Sequence, residues 1–183
     1  MGRSRVLALI AIAAASLSGD RERSLEPAAP LERATPSAEA ARFDEAQLMR
    51  FLDAANAALS PSEVERIAKA VMRYSAKYAL DPLLVTQVLW VESNARPWVR
   101  SPLGAIGLMQ VMPEVAAPLE LAGNLAAIET NIEAGCWILA DNIRRLGEED
   151  GISAYFWGSD IRSVAYLDRV RKARATVRGA SES

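Results

Sequence analysis

The chain reads as a mainly α domain, and three observations predict it. Apolar residues recur at intervals of three and four over several segments, the period of a helix with one buried face. Capping side chains stand directly before prolines at Ser60-Pro61 and Asp81-Pro82, where proline's fixed φ suits the first helical turn. Alternating runs of β-branched residues, which would mark strands, are almost absent.

The elements follow in order. Arg3 and Arg5 precede an apolar run from Val6 to Leu17 broken only by serine, which predicts a secretory signal over residues 1–19. The run falls short of the roughly 20 apolar residues that span a bilayer, and Ala13-Ala14-Ala15 offers a cleavage site. An uncleaved anchor is the alternative. Residues 20–42 mix charges with Pro27, Pro30 and Pro36 and are expected to form a flexible linker.

A domain is expected over residues 43–172. Leu48, Phe51, Leu52, Ala55 and Leu59 predict a helix over 43–59. Ser60-Pro61-Ser62-Glu63 is a capping box, and Val64, Ile67, Ala68, Val71 and Met72 carry that second helix to about Lys77. After Asp81-Pro82 the apolar run Leu83 to Val91 is too continuous for a surface helix, so it should be a buried central one ending near Glu92. Pro113 and Glu114 open a further helix, and Ile128, Ile132, Gly135, Leu139, Ile143 and Leu146 mark a long one that stops before Gly147. Arg171, Lys172, Arg174 and Arg178 make residues 173–183 read as a disordered basic tail.

Composition narrows the chemistry. The 183 residues suit one domain with accessory ends. A net charge of −2 gives no field to recruit nucleic acid. With no histidine, serine and cysteine nucleophiles lack their usual base and zinc its commonest nitrogen ligand. No cofactor and no metal site are expected. The single cysteine, Cys136, reads as a buried structural thiol. Carboxyl groups must therefore do any acid or base work.

Among them Glu92 stands out, since it follows Leu89, Trp90 and Val91. Apolar neighbours make a carboxyl hold its proton, and the partial negative charge of a helix C-terminus acts the same way. A salt bridge from Glu92 to Arg96 is the bland alternative. Glu114, Glu120, Glu129 and Glu133 fit exposed helix faces. Gly104 and Gly107 permit turns that bring main chain near a ligand, and Gln110 offers both donor and acceptor. Met109 lines the same groove or fills the core. Ser93 bonds a ligand or ends the helix, Trp98 offers an apolar face to a ligand or is buried, and Tyr155, Phe156 and Trp157 read as core aromatics.

Glu92-Ser93, followed by Ser101-Pro102-Leu103-Gly104-Ala105-Ile106-Gly107-Leu108-Met109-Gln110, resembles the first two motifs of the soluble lytic transglycosylase (SLT) domain family. Asn131-Ile132-Glu133-Ala134-Gly135, Ala154-Tyr155-Phe156-Trp157-Gly158 and Tyr166-Leu167-Asp168-Arg169-Val170 resemble its later segments in order, so the likeness covers roughly residues 62–172. Phe156 stands where the family usually has Asn, and Val115 where a Thr commonly follows Met-Pro.

The resemblance implies a lysozyme-like helical fold with a substrate groove, acting on the glycan strands of peptidoglycan. It implies that Glu92 is the sole acid and base, cutting the bond from N-acetylmuramic acid to N-acetylglucosamine to leave a 1,6-anhydro end. Ser93, Gly104, Gly107, Met109, Gln110 and Tyr155 are its substrate-binding candidates, with Tyr155 placing a phenol near Glu92. A periplasmic location and a secretion-system or flagellar partner protein are further expectations, with membrane contact only if the N-terminal segment stays uncleaved. The alternatives are a catalytically weak wall-binding scaffold module and a hydrolytic, lysozyme-type muramidase.

Overall fold

The computed structural model describes residues 43–119, 121 and 123–182. The expected signal over 1–19 and linker over 20–42 lie outside them, as does Glu120. Among the described residues seven α-helices follow one another: α1 Glu45–Ala55, α2 Pro61–Lys77, α3 Pro82–Ser93, α4 Pro113–Ala116, α5 Ile128–Leu146, α6 Glu148–Trp157 and α7 Ala165–Ser181, with a 3-10 turn at Ala117–Leu119. Among the described residues the only β pairing is two isolated bridges, Arg100 with Ile106 and Ile106 with Val111. None of the described helices is long and apolar enough to cross a membrane.

The expected start signals act as read. Ser60 accepts from the Glu63 amide while the Glu63 carboxylate accepts from the Ser60 amide, and Asp81 caps α3 through the Leu83 amide at 2.8 Å. A second capping box, Asp44 with Gln47, opens α1. That helix stops at Ala55 rather than at 59, because Asn56 leaves helical geometry and caps it.

The core joins Leu48, Phe51 and Leu52 of α1 to Val64, Ile67 and Val71 of α2, Leu83, Val88 and Leu89 of α3, Ile132 and Leu139 of α5, and Tyr166, Val170 and Val177 of α7. Each such aliphatic side chain, fully buried, contributes roughly 1.5–3 kcal/mol. Helix α3 packs on α7, and α5 on both α2 and α6. A Cβ on Gly151 would lie 2.5 Å from Ile143 Cα, so only glycine permits α5 and α6 to approach as they do. Cys136 is fully buried, as expected of a structural thiol, and burial pushes its proton affinity up.

The disordered tail expected over 173–183 is corrected. Helix α7 continues to Ser181, with Ala173 and Val177 buried and the Ser181 carbonyl accepting from Arg50 Nε at 2.8 Å. Val170, Ala173 and Val177 recur at helical spacing, and the arginines between them mask a stripe that α1 covers.

Candidate active site

Helix α3 is apolar on every side and runs through the middle of the fold, burying Leu83, Val85, Val88 and Leu89. Its last turn carries Glu92. The chain then reverses through two left-handed residues, Asn94 at φ 51° and Ala95 at φ 56°. Asn tolerates that region; for Ala it costs on the order of 1 kcal/mol. Burial of Ala95, and a hydrogen bond from Asn56 Nδ2 to its carbonyl at 2.9 Å, hold the turn. The reversal leaves the Glu92 carboxyl at a helix end, beside a cleft.

The opposite wall is the loop from Val99 to Met112. Gly104 and Gly107 adopt φ of 97° and 74°, conformations that favour glycine. Gly107 has a second constraint, since a Cβ there would meet the Asn131 amide at 2.7 Å. Asn131 fastens the loop to α5: its Oδ1 accepts from the Met109 amide at 2.8 Å, and its Nδ2 donates to the carbonyls of Ile106 at 2.8 Å and Leu125 at 3.0 Å. Gln110, itself at φ 47°, donates from Nε2 to the carbonyls of Gly107 at 3.0 Å and Val99 at 3.3 Å. The cleft is lined by Glu92, Ser101, Leu103, Ala105, Gln110, Tyr155 and Phe156.

Glu92 accepts a 2.6 Å hydrogen bond at Oε1 from the Tyr166 hydroxyl. Burial raises its pKa from 4.5 to about 7, against the opposing pull of the Tyr166 hydrogen bond and of the Arg169 charge. Part of the Glu92 surface remains open to the cleft. The dense shell around it governs the proton, because the carboxylate would lose most of its hydration on that side. Tyr155 and Tyr166 keep their phenolic protons well above the usual range, first through burial and then through Glu92. A carboxyl that titrates near neutrality can hold a proton for donation and take one back.

The expected site residues divide into three groups. Glu92, Gln110 and Tyr155 line one cleft, with Gly104 at a turn of its wall. Gly107 is buried and acts through its turn. Met109 and Ser93 point elsewhere. The Met109 side chain is fully buried against Gly135, where a Cβ would lie 2.6 Å from it, so core filling is the reading the structure supports. Ser93 Oγ is buried, donates to the Leu89 carbonyl at 3.1 Å and accepts from the Arg96 amide at 3.3 Å. It therefore ends the helix, and its one donor is spent on the Leu89 carbonyl.

The salt bridge to Arg96 is absent: that guanidinium donates to the Ser93 carbonyl at 2.8 Å. Tyr155 reaches the cleft, yet its hydroxyl donates to the Met109 carbonyl at 2.8 Å, and the phenol that touches Glu92 is Tyr166. Trp98 is exposed. Phe156 stacks on the Tyr166 ring, with centroids 5.2 Å apart and planes 16° from parallel. Sequence reasoning missed Tyr166, Asn131 and Arg169 as site residues, although all three fall in the segments that carry the resemblance.

Fold and site together define a helical domain that presents one carboxyl, buried on one side and hydrogen-bonded to a phenol, at the edge of a cleft. The chain is a member of the transglycosylase SLT domain family, whose model matches residues 69–167, from within α2 to the start of α7. It is 39% identical over 87 residues to a transglycosylase of Enterobacteria phage PRD1, a stretch covering 47% of this chain and 32% of that one. The chain thus spans about a third of that relative's length. Among solved structures, it is similar to an inactive mutant of the lytic transglycosylase Slt from Pseudomonas aeruginosa (19% identity, TM-score 0.46, covering 78% of this chain and 30% of that one). It is likewise similar to the 70 kDa soluble lytic transglycosylase of Escherichia coli (20% identity, TM-score 0.46, covering 77% and 30%).

Proposed function

We propose that the domain is a peptidoglycan lytic transglycosylase with Glu92 as its sole acid and base. One observation carries the reading: in a chain of this family, a carboxyl that among the described residues has a phenol rather than a cation as its hydrogen-bond partner stands at the edge of a cleft, where burial pushes its pKa up to about 7. Most glycosidases need two carboxyl groups, one of them to act as nucleophile or to activate water. A single group suffices when the nucleophile belongs to the substrate.

In the first step Glu92 gives its proton to the oxygen joining N-acetylmuramic acid to N-acetylglucosamine. The bond from that oxygen to the anomeric carbon breaks, and its electron pair leaves with the N-acetylglucosamine hydroxyl. The Glu92 carboxylate then takes the proton of the muramoyl 6-hydroxyl as that oxygen bonds to the anomeric carbon. A 1,6-anhydro ring forms, no water is consumed, and Glu92 is protonated again. Tyr166 stabilises the carboxylate between the steps, since its hydroxyl donates to the charged form. Gln110 and the main chain around Gly104 and Gly107 form the wall against which the sugars lie.

Residues 1–19 would export the protein to the periplasm, and residues 20–42 would tether the domain there. N-terminal sequencing of the mature protein tests this. The reaction is tested by digesting purified sacculi and identifying the released muropeptides by mass. Anhydro-muramic ends are expected; ends carrying an added water would assign a hydrolytic muramidase, and no release by wild type would favour a binding module.

A further inference from the structure

Beside the reacting carboxyl lies a cation that the mechanism above does not use. Arg169 sits one turn after Tyr166 on α7, with its guanidinium carbon 5.2 Å from the centroid of the Phe156 ring and 5.2 Å from that of Tyr166. The two rings stack on each other, so the guanidinium rests against a paired aromatic platform. Among the described residues Arg169 enters no ion pair, whereas Arg66, Arg144, Arg145, Arg162 and Arg171 each contact a carboxylate. Phe156 occupies the position where the resembled motif usually has Asn. Here that residue builds the platform rather than offering an amide to the cleft.

We propose that Arg169, held off by the Phe156–Tyr166 ring pair, is a positioning residue that stabilises the Glu92 carboxylate through space and so sets the pH at which the group changes charge. The inference rests on Glu92 being the reacting acid. The titratable and charged groups around Glu92 are Tyr166 and Arg169 from α7 and Tyr155 from α6; Arg96, from the turn after α3, is directed to the Ser93 carbonyl. The phenols are neutral near pH 7, so among the described residues Arg169 is the one fixed charge acting on the carboxyl.

Distance is the point of the arrangement. A guanidinium in contact with Glu92 would trap it as a carboxylate and abolish proton donation, as opposite charges in contact depress a carboxyl pKa by roughly 1–3 units. With no cation nearby, the carboxylate left after bond cleavage would cost more to form. A cation parked on rings does neither. Its field reaches the carboxyl through a medium of low polarity, while cation–π contact fixes its position.

The test reads the Glu92 proton directly. Protein labelled with 13C at the glutamate side-chain carboxyls is titrated by NMR, and the Glu92 signal is assigned by its loss in Glu92→Gln. In wild type the signal should titrate near pH 7. In Arg169→Gln the midpoint should move up by roughly half a unit or more, because a favourable charge has been removed. Arg169→Lys should restore most of the shift, and Phe156→Ala, which removes half of the platform, should change the midpoint while keeping the charge. Overlapping Glu92 titrations in wild type and Arg169→Gln, both folded by circular dichroism, would overturn the proposal.

The same proteins are assayed on sacculi across pH. The alkaline fall of kcat/KM should move up with the NMR midpoint in Arg169→Gln. A loss of rate with an unmoved profile would reduce Arg169 to a structural or substrate contact and also overturn the proposal. Should NMR show the shift while no anhydro ends appear, the transglycosylase reading would fail and the electrostatic role would stand.

Discussion

Glutamates on either side of the molecule meet opposite treatment. In the seam between α2 and α5, Glu129 receives a bidentate pair of hydrogen bonds from Arg66 at 2.8 and 2.7 Å, and Glu133 contacts Lys77. Both pairs keep an exposed partner, and Arg66 holds the Glu129 carboxyl below its ordinary value. At the cleft, Glu92 has among the described residues a phenol for its only hydrogen-bond partner, and burial holds it up near 7. One residue type is thus a fixed charge in one seam and a proton store in the other. What separates them is access to water and the identity of the contacting group.

The sharpest break of this comparison is removal of each carboxyl in turn. Glu92→Gln should lower release of muropeptides from sacculi by about 10³-fold or more, since in the proposed reaction one group serves both proton transfers. Glu129→Gln and Glu133→Gln should stay within about twofold of wild type. An equal loss in the outer-seam variants would mean that Glu92 has no special place. Glu92→Gln has a second readout with a definite sign. Because the folded pKa lies above the ordinary 4.5, stability from this group is present below about pH 4.5 and is lost as pH rises through about 7. The variant should therefore gain up to about 3 kcal/mol over wild type at pH 8 and nothing at pH 4, measured by denaturant unfolding.

Asn131 belongs to the same helix as Glu129 and Glu133 yet faces the cleft loop. Its side chain is 1% exposed and makes three hydrogen bonds to main chain of the loop and its approach. Asn131→Ala would take the side-chain partner from the buried Met109 amide and the Leu125 carbonyl, and one of two donors from the Ile106 carbonyl, which keeps the Val111 amide, at a cost of roughly 2–4 kcal/mol. Urea unfolding reads the loss. A cost under about 0.5 kcal/mol would show that the loop holds its shape without α5.

Much of this was legible in the chain. Ser60-Pro61 and Asp81-Pro82 placed two helix starts because capping is local chemistry, and the apolar run before Glu92 announced a buried carboxyl. The long helix with Gly135 on its seam was also readable. Three features were not. Met109 turns into the core and Ser93 spends its hydroxyl on its own helix, because which way a loop or cap residue faces depends on tertiary neighbours. The Tyr166 phenol meets Glu92 across 74 residues of chain, a contact that no spacing rule contains. The stripe of Val170, Ala173 and Val177 was hidden by arginines, which suit a helix whose other face is wet.

Tyr166 sharpens the contrast further. Tyr166→Phe keeps the ring stacked on Phe156 and removes only the hydroxyl that donates to Glu92. That bond favours the charged carboxyl, so its loss should raise the Glu92 pKa and move the alkaline limb of kcat/KM to higher pH. The maximum should fall by about tenfold, in keeping with roughly 1.5 kcal/mol for a hydrogen bond to a charged group. A downward move of the limb would mean that Tyr166 stabilises the protonated form instead.

The smallest effect lies in the outer seam, and there the pH dependence reverses. The folded pKa of Glu129 is depressed, so the stability it contributes is present above its unfolded value of 4.5 and is lost as pH falls through the folded one. With both partners more than a third exposed, solvent screens the pair and its contribution should not exceed about 1 kcal/mol. Glu129→Gln should accordingly destabilise slightly at pH 7, progressively less as pH falls below 4.5, and less in 1 M salt. Glu92→Gln does the opposite, gaining stability as pH rises, with little salt dependence, because its desolvation cost involves no exposed charge pair. Unfolding curves for the two variants over the same pH series therefore diverge in sign. Parallel curves would mean that the cleft carboxyl is solvated like any surface acid and is no proton store.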